Sequence, residues 1–319
     1  MRLRDIIAIL LNISLLILGI CWGARWYSPM AFIHDFENMR PLFMLRFQRM
    51  ITAITIGGSL SLAGLILQAV LRNPLAEPFT LGLSGGASIG AALAFVLGFY
   101  SKWVFAVPIG AFLGAISTLI IVLWISRCGR NGTESLLLSG VIAGTIASNV
   151  LVQILSFAQN EELAGITWWM LGDLQGTDPR LLWPGVVLLF AALIMFRCMA
   201  DKIDAIALGE AQAFYLGGNP RKLTVILVAA ASFLAAETVA MAGIISFCGL
   251  IIPHIVRQCF GCIHRHIVLT TALWGAAFLM ICDILSRCIS TQHEIPIGVM
   301  TAVIGGPLFL WLLNKQHHA

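Results

Sequence analysis

The chain has 319 residues, of which 59% are apolar and only 11% are Asp, Glu, Lys or Arg. A soluble domain carries about 25% charged and about 45–50% apolar residues, and a chain this apolar cannot cover its own surface with polar side chains. Composition therefore excludes a soluble enzyme, a disordered chain and a nucleic-acid-binding protein, and it predicts an all-α membrane protein.

Ten apolar segments follow one another along the chain, each near the length of about 20 residues that crosses a bilayer. They lie near 6–22, 50–71, 80–99, 104–127, 136–158, 182–199, 222–242, 244–260, 267–286 and 297–314. The first follows a basic start without a small-residue cleavage site, so we expect an uncleaved span. No hydrophilic loop separates the seventh from the eighth at Ala242-Gly243, which leaves nine or eleven spans open.

Ten spans place both termini on the same side of the membrane. Placing them in the cytoplasm puts more Lys and Arg inside than outside, as the positive-inside rule requires. The difference in Lys and Arg between the two sides is small because the first outer loop is basic, with Arg25, Arg40, Arg46 and Arg49. We therefore predict cytoplasmic termini, and this outer excess of arginine requires a separate explanation.

Small residues are frequent within the predicted spans. The run 84–88, Ser-Gly-Gly-Ala-Ser, is expected to shorten or break the third span, as in helices that line transporter cavities. An Ala-Gly pair is followed by proline at the same spacing in 63–74 and in 242–253. Because these two segments begin on opposite sides, they suggest a weak inverted repeat of spans 2–5 and 7–10.

Motifs for catalysis or metal binding are missing from the sequence. No GxxxxGK[ST] phosphate loop and no HExxH motif occur. Cys259 and Cys262 have metal-like spacing, but no second pair of ligands accompanies them. We predict no catalytic residue, no metal site and no cofactor.

The longest polar segment on the predicted cytoplasmic side covers residues 201–220. It predicts two short helices joined at Leu208-Gly209, with Gly217-Gly218 as a stop signal. A loop of this length in a chain of short loops is more often functional than not.

Six segments resemble, in order, the permease subunits of ATP-binding-cassette (ABC) importers for cobalamin, haem and iron-siderophore complexes. They are 72–94, 135–144, 168–176, 207–217, 245–257 and 294–313. The resemblance covers nearly the whole chain and implies a single permease domain over residues 1–319, with the type II ABC importer fold of about ten spans in the inner membrane.

The same resemblance implies partners. Two copies of an ATP-binding subunit would bind inside, and a periplasmic or lipid-anchored substrate-binding protein would bind outside. A second permease subunit, identical or paralogous, would complete the passage across the lipid bilayer. No nucleic acid is expected.

The resemblance assigns docking of the binding protein to Arg46, Arg49 and Arg287, whose planar guanidinium groups suit carboxylates. The family usually has proline where this chain has Gln48. The alternative for Arg46 and Arg49 is anchoring at the membrane interface. The alternative for Arg287 is an i,i+4 ion pair with Asp283.

On the cytoplasmic side, the resemblance assigns ATPase coupling to the segment Ala207, Leu208, Gly209 and Glu210. It assigns the cytoplasmic gate to Thr133 and Glu134. Glu134 departs from the small polar residue usual there, and its alternative role is to stabilise the start of the following helix through the helix dipole.

Four further polar residues fall within the spans, where exposure to lipid is costly. They are expected to face the transport pathway or to form hydrogen bonds between helices, and they are Gln68, Asn149, Gln153 and Glu237.

The sequence therefore indicates a transport subunit, not an enzyme, that translocates an iron-siderophore, with cobalamin or haem as alternative cargo. Outside this family, an ion-coupled secondary transporter would use Glu237 and Asp283. An intramembrane redox or metal enzyme would use Cys259 and Cys262.

Overall fold

The computed structural model describes residues 3–23, 25–128, 132–175, 177–215, 219–289 and 294–317. Within these ranges the regular structure is helical, with one 3₁₀ turn at Pro78–Leu81. The helices are α1 (Leu3–Cys21), α2 (Pro29–His34), α3 (Phe36–Val70), α4 (Leu83–Val96), α5 (Phe99–Lys102), α6 (Ala106–Cys128), α7 (Gly132–Leu155), α8 (Asn160–Leu171), α9 (Pro179–Cys198), α10 (Ala200–Leu208), α11 (Glu210–Tyr215), α12 (Pro220–Ala242), α13 (Cys248–Phe260), α14 (His264–Ile289) and α15 (Ile297–His317).

Ten of the described helices are apolar enough to account for the ten predicted spans. Seven of them, α1, α3, α6, α7, α9, α12 and α14, are also long enough to cross a membrane. The other three, α4, α13 and α15, have shorter apolar stretches. The all-α membrane fold is therefore confirmed, and the number of helices that cross the bilayer stays a prediction.

α3 is the central helix of the bundle, and 89% of its most apolar stretch is buried. Glycines in α3 let the backbones of α13 and α14 come into direct contact with it. A Cβ atom on Gly57 would collide with the carbonyl oxygen of Gly275 in α14, and one on Gly64 would collide with that of Gly249 in α13. Close backbone contact at small residues is how helices associate where water does not drive them together.

α4 and α6 pack through a second set of glycines. Gly86 and Gly90 on α4 face Gly114 and Gly110 on α6, so that each helix contributes glycines four residues apart. As expected from its small residues, α4 is short, with 14 residues, and it follows Gly82 in a left-handed conformation with φ of 77°.

The sequence pattern that suggested an inverted repeat does not correspond to equivalent structure. Gly64 lies in the middle of α3, whereas Gly243 ends α12 with φ of 72°. Pro253 lies inside α13, but Pro74 lies in the turn after α3. The correspondence of 63–74 with 242–253 is therefore wrong, and the repeat of spans 2–5 and 7–10 stays a prediction without this support.

Some helical segments within the described residues were not predicted, among them the start of α3 and the whole of α8. α3 begins at Phe36, well before the apolar stretch that starts near residue 50, and continues through Pro41. α8 is only 12 residues long and has Glu161 and Glu162 in its first turn. Hydropathy does not detect such a helix because it is too short and too charged at its start to read as a span.

Candidate functional site

One buried carboxylate joins α3 to α14. Arg49 Nε donates to Asp283 Oδ1 at 2.6 Å, and Arg287 Nη2 lies 2.9 Å from Asp283 Oδ2. The Asp283 side chain is 0% exposed. The i,i+4 pair expected as the alternative role for Arg287 is therefore confirmed, and the same carboxylate also neutralises Arg49.

A second carboxylate links Arg49 to two loops at the same end. Arg49 Nη1 donates to Glu294 Oε2 at 2.7 Å, and the amide of Gln175 donates to the same oxygen. Glu294 lies three residues before the start of α15, and Gln175 lies between α8 and α9. Glu294 therefore ties the segments 172–175 and 294–296 to α3.

Arg46 is engaged by the end of α1. Its Nη1 donates to the carbonyl oxygens of Ile20 at 2.7 Å and Cys21 at 3.1 Å, and its guanidinium carbon lies 5.4 Å from the ring centre of Tyr27. Arg287 Nη1 donates to Gly19 O at 3.1 Å. The last carbonyls of a helix lack partners within the helix and carry partial negative charge, so they suit cations.

The three arginines predicted to dock a partner are thus buried and bonded within this chain. Interfacial anchoring of Arg46 and Arg49 is wrong, because neither side chain lies at a lipid-facing surface. Docking by Arg46, Arg49 and Arg287 stays a prediction, and it now requires that a partner's carboxylate reach groups that already have internal partners.

Gln48, the residue where the family usually has proline, forms a link of its own. Its amide donates to Thr177 O, and the Thr177 hydroxyl donates to Met241 O at 3.3 Å. The side chain therefore connects α3, the loop before α9 and the end of α12, which a proline cannot do.

A cavity of about 620 Å³ opens between these elements. Its lining includes Arg49, Trp168, Asp173, Gln175 and Glu294. Sequence reasoning did not single out the last three as site residues. The available signal was the family-like segments 168–176 and 294–313, which contain them and which meet at this cavity.

At the opposite end of the chain's fold, α10 and α11 are joined at Gly209, as the sequence predicts. Gly209 has φ of 134° and ψ of 159°, a conformation that essentially only glycine adopts. Leu208 is 74% exposed, and Ala207 is half-buried. The side chain of Glu210 and the stop signal Gly217-Gly218 lie outside the described residues.

Asp204 fastens α10 to the start of α14. Its Oδ1 accepts from the His264 backbone N–H at 3.1 Å and lies 2.6 Å from His264 Nδ1. Burial opposes the charged carboxylate, but the hydrogen bonds from His264 outweigh it and lower the pKa of Asp204. The contact caps the N-terminus of α14, and sequence reasoning missed it.

Gln68 and Glu237 lie between helices. Gln68 is buried; its amide donates to Leu250 O at 3.0 Å, and its carbonyl oxygen accepts from Arg257. Its alternative role, hydrogen bonding between helices, is confirmed. Glu237 packs against Gly185 of α9, where a Cβ would collide with its carboxylate. Both carboxylate oxygens of Glu237 lack a hydrogen-bond partner among the described residues.

Residues 9–315 match the model of the FecCD transport family. The chain belongs to this family. Two similar proteins are the vitamin B12 import system permease proteins BtuC of Salmonella arizonae and Salmonella typhimurium, each 35% identical over 312 residues. The match covers 96% of this chain in both cases, and 94% and 95% of the two relatives. A solved structure of an ABC transporter described as being of metal-chelate type, in an inward-facing conformation, has a TM-score of 0.88 at 27% identity and covers 98% of both chains.

As a FecCD-family permease, the chain is a transport subunit and not an enzyme, and it is a multi-pass protein of the inner membrane. The family also implies ATP-binding and substrate-binding partners. The resemblance recognised from six sequence segments is confirmed.

The remaining pathway candidates of this FecCD permease lie on α7. Asn149 and Gln153 are exposed; Asn149 donates to Thr145 O at 2.8 Å and Gln153 to the Ser156 hydroxyl at 3.3 Å. Exposed Thr145 and Ser148 on α7 and Ser156 in the turn after it lie on the same side, next to exposed Val141 and Val152. We call the five polar residues on this side the α7 stripe (Thr145, Ser148, Asn149, Gln153 and Ser156).

The predicted gate residues lie in the first turn of α7. Thr133 is half-buried and Glu134 is exposed, and Asn131 before them lies outside the described residues. The position of Glu134 agrees with its alternative role, because a negative side chain in the first turn stabilises a helix N-terminus.

For the ion-coupled alternative, Asp283 is paired with two arginines, whereas both carboxylate oxygens of Glu237 lack a hydrogen-bond partner among the described residues. The match to the FecCD family over residues 9–315 is what argues against the alternatives outside it. Among the residues described, no group of three or more His, Cys, Asp or Glu could hold a metal ion. Cys259 and Cys262 are exposed and unpaired.

Proposed function

We propose that two copies of this permease form a passage for a bulky metal chelate of the corrinoid class, the class of vitamin B12. The observation that carries the cargo is the 35% identity, over 96% of this chain, to permeases named for vitamin B12 import. A ferric siderophore is the second candidate, because the similar solved structure is described as being of metal-chelate type. Haem is the third.

The α7 stripe supports a passage between two copies. Polar side chains that face lipid cost free energy, so an exposed row of them on a membrane helix is expected to face water or another protein. Among the described residues, the hydrogen bonds of Asn149 and Gln153 stay within α7 and the turn that follows it, which leaves that face available. A second copy opposite α7 would enclose a polar, weakly binding passage.

The proposed inner face carries the ATPase contacts. Arg4 near the N-terminus donates to Phe260 O and His266 O, and Asp204 of α10 holds the start of α14. These contacts bring α1, α10, α13 and α14 together at one end. We assign that end to the cytoplasm, with both termini, and the segment 207–210 to two ATP-binding subunits.

The proposed outer face is the arginine end. There the substrate-binding protein would present carboxylates to Arg46, Arg49 and Arg287. Three guanidinium groups face only two described carboxylates, Asp283 and Glu294, so the cluster retains an excess of positive charge that attracts an acidic partner.

Cargo is tested with the permease reconstituted in liposomes together with its ATP-binding and substrate-binding partners. Radiolabelled cobalamin, a ferric siderophore and haem are supplied in turn. We expect ATP-dependent uptake of cobalamin well above that of the other two. Uptake of the siderophore alone would reverse the order of the candidates.

A further inference from the structure

Arg49 has two carboxylate partners that differ in how easily they exchange. Asp283 is fully buried and also holds Arg287, so removing it would strand two buried cations. The Glu294 side chain is 39% exposed, and its other partner is the neutral amide of Gln175. Arg49 keeps Asp283 when Glu294 leaves, so the exchange of Glu294 does not leave the buried guanidinium group without a carboxylate partner.

Arg49 is reached from outside through the cavity. Its side chain is 5% exposed, yet it is part of the cavity lining, as is Glu294. Glu294 is also the more exposed of the two carboxylates that bind Arg49, since Asp283 is 0% exposed. A carboxylate that reaches Arg49 through this cavity therefore has Glu294 as its competitor.

We propose that Glu294 is an internal substitute for a carboxylate of the docked substrate-binding protein. On docking, an acidic side chain of the partner replaces Glu294 on Arg49, while Asp283 keeps its two arginines. This inference rests on the proposed docking role of Arg46, Arg49 and Arg287, and it identifies the position at which an acidic partner must compete.

The exchange also gives docking a mechanical consequence. Glu294 ties the segment before α15 to α3, and Gln175 ties the loop after α8 to the same carboxylate. The backbone N–H of Ile297, the first residue of α15, donates to Gly172 O at 3.2 Å. Release of Glu294 from Arg49 separates both segments from α3, while the backbone bond from Ile297 to Gly172 still joins the two rims of the cavity.

The test measures affinity of the substrate-binding protein for the permease in lipid nanodiscs. Glu294→Gln removes the competing charge and is expected to tighten docking about 3- to 10-fold, because the partner no longer displaces an ion pair. Asp173→Asn is the matched control. It removes one negative charge from the lining of the same cavity, and it is expected to change affinity by less than about 2-fold.

Gln175→Ala provides a second variant in case Glu294→Gln does not fold. It removes the other partner of Glu294, so it is expected to tighten docking about 2-fold. Equal tightening by Asp173→Asn would show a general charge effect and overturn the proposal. Unchanged or weaker docking of both Glu294→Gln and Gln175→Ala would overturn it as well.

Failure of the exchange is distinguishable from failure of the docking site. If Arg46→Glu and Arg287→Glu leave docking unchanged, the arginine end is not the docking site and both proposals fail. If these variants weaken docking while Glu294→Gln does not tighten it, the docking site stands and only the exchange is wrong.

Discussion

Arg49 of α3 and Asp283 of α14 form a fully buried ion pair of 2.6 Å between residues that are 234 positions apart in the chain. Breaking such a pair from one side strands a buried charge and costs about 3–5 kcal/mol. Asp283 also pairs with Arg287, so the loss of the Asp283 carboxylate leaves two buried guanidinium groups without this partner.

Asp283→Asn is therefore expected to lower the free energy of unfolding by about 3–5 kcal/mol, because it neutralises the carboxylate and keeps its shape. Thermal unfolding in nanodiscs measures the effect. Glu161→Gln, which removes an exposed acidic side chain from α8, serves as the control and should unfold at the same temperature as the wild type. A wild-type unfolding temperature for Asp283→Asn would show that the pair does not hold α3 to α14.

Gly64→Ala is expected to destabilise the bundle by at least about 1–3 kcal/mol, the usual cost of overpacking. The added Cβ would collide with the backbone of Gly249 in α13, which cannot rotate away. Gly144→Ala is the matched control, since its nearest neighbour would lie at an ordinary 3.5 Å. The control should be neutral or more stable, because alanine favours helix. Equal stability of the two variants would contradict the close packing of α3 on α13.

Gly209→Ala is expected to reduce ATP-driven uptake at least about tenfold while the permease still folds, because alanine cannot hold the backbone of Gly209 and α10 and α11 must reorient. Uptake and ATP hydrolysis are measured in the same liposomes. Gly261→Ala places a comparable strain (φ of 89°, ψ of −179°) at a position with open space around it, and it should transport normally. Normal uptake by Gly209→Ala would remove the coupling role of the segment 207–210.

The contact of Asp204 with His264 predicts a dependence of stability on pH. The pKa of Asp204 is lowered in the folded protein, so its charge stabilises the fold at pH values above about 4, the ordinary pKa of aspartate. This contribution is lost as the pH falls through the lowered folded pKa. We expect the difference in unfolding temperature between wild type and Asp204→Asn to be steady from pH 8 to pH 5 and to shrink below about pH 4. A difference that grows on acidification would contradict this sign.

Local signals in the sequence predicted most of the fold. Runs of apolar residues identified ten helices, and a glycine between two helix-forming segments identified the join at Gly209. Both signals depend only on residues that are close together in the chain. The pair of Asp283 with Arg287 was also accessible, since i,i+4 spacing places the two side chains on one helix face.

Partners far apart in the chain were not predictable in the same way. Nothing near Arg49 indicates Asp283 or Glu294, and nothing near Asp204 indicates His264. A family resemblance gave Arg46, Arg49 and Arg287 an outward-facing role, but burial depends on how α1, α3 and α14 pack, which no short segment encodes. α8 was missed for a different reason. It is short and has an acidic first turn, so its hydropathy does not reach the level of a membrane span.

The most direct test of the central claim is uptake of labelled cobalamin into liposomes that contain the permease, its ATPase and its substrate-binding protein. The account predicts uptake that requires ATP hydrolysis and the binding protein, and that is unchanged when proton and sodium gradients are collapsed. Uptake that proceeds without the ATPase and follows an ion gradient would contradict it.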